Sequence, residues 1–121
     1  MKLGIAMNLP HSSAEEWAKK HRDLGLSAVV FPCSHRSTIS QIDDYVKACH
    51  AYGLQIAEVG AWKNLLSKNP KERSDNFEYC LRQLELADYI GARCVVNISG
   101  STGEVWDGGY LENYSKKHIT T

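Results

Sequence analysis

One junction occurs three times in this chain. "DLGLSAVVF" carries it around Gly25, "AYGLQIAEV" around Gly53 and "YIGARCVVNISGS" around Gly91. Each time a helical pattern runs into an apolar residue or Tyr, then Gly, then Leu or Ala, one polar residue and an apolar run. Glycine suits the position just past a helix C-terminus, because it takes the left-handed conformation without a Cβ clash. Helix-to-strand loops of two or three residues are typical of α/β units. The repetition therefore reads as successive βα modules.

The rest of the chain fits that frame. Strands are expected over residues 2–8, 28–33, 55–61 and 93–99. The first helix starts at an S-x-x-E capping box, either Ser13 with Glu16 or Ser12 with Glu15. Ala14, Trp17, Ala18, His21 and Leu24 fall on one of its faces. Thr38 or Ser40 caps the second helix, whose apolar face is Ile42, Tyr45, Val46, Cys49 and Tyr52. Asn69 caps the third, with Pro70 at the first helical position. Its stripe reads Phe77, Cys80, Leu81, Leu84, Ala87 and Ile90. Residues 100–121 are polar and glycine-rich, and read as a flexible tail ending in the first turn of a fourth helix at "YSKKHITT". The order is βαβαβαβ, which predicts a parallel sheet. Runs such as "AVVF" and "CVVNI" suit strands covered on both faces.

Composition narrows the function classes. Formal net charge is zero, with 14 basic and 14 acidic residues, which argues against nucleic acid as an obligatory partner. No apolar run approaches the roughly 20 residues of a membrane span. The N-terminus, "MKLGIAMNLP", reads as a first strand rather than a signal peptide. Four cysteines with no C-x-x-C pair read as buried, reduced thiols of a cytoplasmic protein, and give no support to a zinc site.

The loops are asymmetric. Helix-to-strand joints are short, while strand-to-helix loops are longer and carry His11, His35, Arg36, Trp62, Lys63, Asn64 and Trp106. In parallel α/β folds, ligands bind beyond the carboxyl ends of the strands, which is the elaborated side here. A dinucleotide-binding domain needs G-x-G-x-x-G after its first strand, and "NLPHSS" stands there instead. A flavodoxin-like open sheet fits the length but wants five strands where four are read. A (β/α) barrel fits the repeat and the loop asymmetry, although it takes about 250 residues.

"GLSAVVFPCSHRS", "GLQIAEVGAWKNLLSKNPKERSDNFEYCLRQLELADYIGARCVVNISGS" and "WDGGYLENYSKK" together resemble the N-terminal half of the sugar phosphate isomerase/epimerase family, which are xylose isomerase-like TIM barrels. "AEVGAW.N" and "A...GA.CVVNISGS" are the most specific pieces. The resemblance implies that residues 1–121 form one partial domain, half of a TIM (β/α)8 barrel, and that full members are about twice as long. It implies a sugar or sugar phosphate as ligand. It also implies a divalent metal (Mn, Mg or Zn) in a full-length relative, bound through the later strands, so no cofactor is assigned to this chain. The last strand would then have an open edge. A truncated product, inactive by itself, or a homo-oligomer completed through the sheet edges is expected.

Four residues stand out as substrate-binding candidates. Glu58 lies inside the apolar strand "IAEVGA", where an unpaired carboxylate is costly. It either faces the barrel mouth and a sugar hydroxyl, or pairs across the sheet with a cation such as Arg93. Asn97 in "VVNIS" is a similar case. By the resemblance, Trp62 walls a sugar pocket; otherwise it is a rim aromatic near the third helix. His35 is a substrate contact or acid/base group, or else an exposed loop histidine. "GSTG", residues 100–103, offers backbone donors to a phosphate or is simply a loop.

Overall fold

A computed structural model describes residues 1–6 and 9–116. Its elements run α1 (Ala14–Asp23), β1 (Ala28–Val30), α2 (Ile39–Ala51), β2 (Gln55–Gly60), α3 (Pro70–Ile90) and β3 (Cys94–Val96), followed by a short 3-10 helix (Leu111–Tyr114). The three strands form one parallel sheet in the order β1-β2-β3. The protein is thus α/β, with β-α-β-α-β connectivity in the sheet.

The repeated junction is one hydrogen-bonded motif made three times. Gly25, Gly53 and Gly91 all have left-handed φ values of 76°, 63° and 68°. Each glycine N–H donates three residues back, to Arg22, His50 or Asp88. Each following residue donates five back: Leu26 to His21, Leu54 to Cys49 and Ala92 to Ala87. These paired bonds satisfy the last helical carbonyls and turn the chain straight into the next strand. The starts are also local. Ser13 Oγ accepts from Glu16 N, while the Glu16 carboxylate reaches Ser12 rather than Ser13. Thr38 and Gln41 close a full reciprocal box on α2. Asn69 Oδ1 accepts from Lys71 N and Glu72 N ahead of the Pro70 turn.

The sheet is smaller than the sequence suggests. Of the expected strand over 2–8, residues 2–6 form no ladder and residues 7 and 8 lie outside the described residues. Leu3 O accepts from Ser27 N and Ala28 N, but the Leu3 N–H is taken by the Ser27 hydroxyl, so pairing stops after one point. The expected fourth helix falls mostly on residues 117–121, also outside the described residues. β1 stops at Val30 and β3 at Val96, short of the expected 28–33 and 93–99.

One core cluster joins all three helices to one side of the sheet. It holds Trp17 and Ala18 from α1, Ile42, Ala48 and Cys49 from α2, Leu86, Ala87 and Ile90 from α3, and Val29, Ile56 and Val59 from the strands. The expectation of strands covered on both faces is corrected, because Val30, Glu58, Gly60 and Val96 are only half-buried and lie outside this cluster. The α3 stripe is also corrected. Phe77, Leu81 and Leu84 are exposed, and the buried face is Gln83, Leu86, Ala87 and Ile90. That set has helical i, i+3, i+4, i+7 spacing, and the sheet meets only the C-terminal half of the helix.

Candidate functional site

β2 carries one residue too many for its neighbour. Val29 pairs with Ile56 and Val30 with Glu58, which leaves Ala57 as a bulge. Bulges re-aim the side chains that follow them. Ile56 and Val59, three apart, both enter the core, 5% and 0% exposed. Glu58 falls on the other face, in one cross-strand row with Val30 and Cys94. A regular ladder would have put Glu58 beside Ile56 in the core.

Trp62 meets Glu58 on that face. It is the one non-glycine with positive φ among the described residues, at 46°. Its indole lies where a Gly60 side chain would stand, so glycine there is what admits the ring. Glu58, Trp62, Val30, Phe31, Pro32, Ala6 and Trp17 line a cavity of about 330 Å³ near the carboxyl ends of the strands. No described side chain hydrogen-bonds the Glu58 carboxylate. Arg93 turns instead to Gln55, whose side-chain oxygen, once the amide is rotated, accepts from Arg93 Nη2 at 3.0 Å. Here an acid and a half-exposed indole face one hollow of mixed polar and apolar lining, an arrangement suited to a hydroxylated ring with one apolar side.

His35 lies elsewhere, between the β1–α2 loop and α3. Gln83, 1% exposed, organises it. Gln83 Nε2 donates to Gly60 O at 2.8 Å, which fixes the amide orientation, since a carbonyl only accepts. Gln83 Oε1 then faces His35, accepting from the backbone N at 2.8 Å and meeting Nδ1 at 2.9 Å. The proton of a neutral His35 is therefore on Nδ1, leaving Nε2 open. The ring packs edge-on against Tyr79, 4.7 Å between centroids. Arg36 Cζ and Lys63 Nζ lie 5.2 and 4.8 Å from the centre of the same Tyr79 ring. Burial pushes the nearby Cys80 thiol up, with the Lys63 ammonium pulling the other way.

Asn97 clamps a loop. Its Oδ1 accepts from Lys63 N at 2.8 Å and its Nδ2 donates to Lys63 O at 3.0 Å, so the amide is used on backbone rather than turned to the cavity. Two of the 100–103 donors are likewise committed. Ser101 N donates to Asn64 Oδ1, and Gly103 N to Ser101 Oγ. Asn64 Nδ2 returns a bond to Ser101 O, and Asn113 accepts from Ser101 Oγ. Through Ser101 and Asn64 the start of the segment after β3 is tied to the β2–α3 loop.

Sequence reasoning brought Glu58 and Trp62 together and separated neither His35 nor Asn97 from them. It missed Gln83 and Tyr79, and also Trp17 as a cavity wall. The available signal for Gln83 was its place in register with Leu86, Ala87 and Ile90. Of the cysteines, all free, Cys49 is buried and its thiol is pushed up to about 12 by burial. Cys94 is exposed, against the expectation that all four thiols are buried. Among the described residues no three His, Cys, Asp or Glu side chains gather to hold a metal ion. Nor is any described helix long and apolar enough to cross a membrane. No protein family matches the chain, and no curated protein matches it.

Proposed function

We propose that this chain is the N-terminal half of a TIM-barrel protein resembling sugar phosphate isomerases and epimerases, and that it supplies a wall of the sugar pocket. The observation that carries this reading is the Glu58–Trp62 cavity near the carboxyl ends of the strands. Two features of the fold support it. The strand order is sequential, and the helices share one core on one side, whereas a doubly wound open sheet carries helices on both. The Trp62 indole would pack on the apolar face of a sugar, and the Glu58 carboxylate would accept from its hydroxyls. No catalytic step is assigned to these residues, and a metal, where a full-length relative has one, would draw its ligands from elsewhere. The chain by itself is expected to bind weakly and turn over nothing.

The test is a titration of the chain with monosaccharides, followed by tryptophan fluorescence and by amide shifts of residues 58–62. Trp62→Ala and Glu58→Gln should each weaken binding about tenfold, the scale of one charge-assisted hydrogen bond or one stacked aromatic. Binding unchanged in both variants, or isomerase activity from this chain alone, would overturn the division of labour.

A second reading has its own observation. β3 is the last strand of the sheet, and Phe77, Leu81 and Leu84 stand exposed on α3, the helix that leads into it. Self-association through this edge would cover both, giving a non-catalytic assembly of half-barrels. Sedimentation showing a monomer at millimolar concentration would remove it.

A further inference from the structure

We propose that two copies of this chain pair through the exposed stripe of α3, with the helices antiparallel and Arg73 of each copy against Asp88 of the other. This rests on the self-association reading and gives it a face, a direction and a register.

Arg73, Phe77, Leu81, Leu84 and Asp88 follow one another at steps of three or four residues, so they share one side of the helix. Phe77, Leu81 and Leu84 are 57%, 41% and 53% exposed, and Arg73 and Asp88 are exposed too. The fold uses the other sides. Gln83, Leu86, Ala87 and Ile90 are buried, and the Tyr89 hydroxyl turns to α2, donating to Asp43. Cys80, three residues past Phe77 and four before Leu84, meets Asn97 beyond β3. The stripe therefore runs along the flank of the last strand, away from α2.

The stripe is complementary to itself. Arg73 and Asp88 stand symmetrically about the midpoint between Cys80 and Leu81, and so do Phe77 and Leu84. A second copy turned end for end about that midpoint sets cation on anion at both ends and apolar on apolar between them. A parallel copy would set cation on cation and anion on anion. The charges on the neighbouring faces are engaged within α3: Lys71 with Asp75, and Arg82 with Glu78 and Glu85. Arg73 reaches only the carbonyl of Ser67, and neither it nor Asp88 has an ion-pair partner among the described residues. Both also stand against their own helix. A cation near the start of α3 and an anion in its last turn oppose the helix dipole, so they do not serve α3 itself. An antiparallel copy supplies what each lacks. One helix pair covers less than the roughly 1,600 Å² of a standard interface, so the dimer should dissociate on dilution and leave monomer at about micromolar concentration.

Sedimentation of the chain from about 10 μM to 1 mM tests this, and a monomer–dimer equilibrium is expected. Arg73→Asp and Asp88→Arg should each weaken association at least fivefold, because both symmetric contacts become repulsive. Combining the two changes in one chain should restore the original affinity within about twofold, as should mixing the two single variants. Leu81→Asp should abolish the dimer, with an amide spectrum otherwise unchanged. Lys19→Asp, which shifts net charge equally but lies on α1, should leave it alone. Association that survives Leu81→Asp, ignores the single reversals, fails to return in the combined variant, or weakens as much in Lys19→Asp would overturn the α3 pairing and leave self-association itself standing. A monomer across the whole range would remove both.

Discussion

α1 and α2 pack on each other and share the core with the sheet, and each buries one large side chain almost completely, Trp17 at 1% and Ile42 at 2% exposure. α3 is twice as long as α1, yet it gives the core only Gln83, Leu86, Ala87 and Ile90 and leaves Phe77 and Leu84 more than half exposed. The difference is one of neighbours. A helix in a parallel α/β layer buries one stripe on the sheet and its flanks on the helices beside it. α3 lacks a second flank among the described residues. It compensates with polar fastenings: Gln83 to Gly60, Asn76 to Asn64 and Ser67 to Glu72.

Four substitutions or conditions sharpen that contrast or break it. Trp17→Ala removes the centre of an aromatic group that includes His21 at 4.6 Å and Tyr45 at 5.4 Å. It should cost about 3–5 kcal/mol in urea unfolding, the range for a large aromatic lost from a core. Gln83→Ala is expected to cost about 1–3 kcal/mol, because Gly60 O and His35 N lose their partner. A matching loss of the downfield His35 ring proton would identify the cause. Leu84→Ala should stay within about 0.5 kcal/mol, as for other exposed positions. A cost comparable to that of Trp17→Ala would mean the α3 stripe is covered in solution, and the contrast would fail.

The smallest effect lies on the outer side of α1. Hydrogen bonds from the Lys20 ammonium, then from the Ser12 hydroxyl and amide, hold the Glu16 carboxyl at about 2 against its ordinary 4.5. A carboxyl depressed in the folded state stabilises above its unfolded value and loses that contribution as pH falls. Stability should therefore decline between pH 4.5 and about 2, with a slope that Lys20→Ala and added salt both reduce. The ion pair lies at the surface, where solvent screens it, so the change should be slight. An identical pH profile for Lys20→Ala would dissociate the ion pair from stability.

Local rules carried the sequence reading a long way. The three junctions were legible because a left-handed glycine and its two hydrogen bonds involve only neighbouring residues. Thr38 and Asn69 were legible for the same reason. The α3 face was not. Two apolar stripes overlap along its 21 residues, and which one is buried depends on how far the sheet extends beneath them. At the candidate site, Glu58 and Trp62 could be paired from their places at one strand end. The fates of His35 and Asn97 could not, because each is fixed by a partner distant in sequence, Gln83 in one case and the Lys63 backbone in the other.

Ala57, the bulged residue, sets how β2 tolerates insertions and deletions. Losing its codon would leave Ile56, Glu58 and Val59 in plain alternation, with the same two residues turned inward and the same acid outward. Losing any other single codon between Ile56 and Val59 removes one of those three residues themselves. The strand thus has one dispensable position, and the gene can shorten there without inverting which chemistry this sheet hides and which it presents.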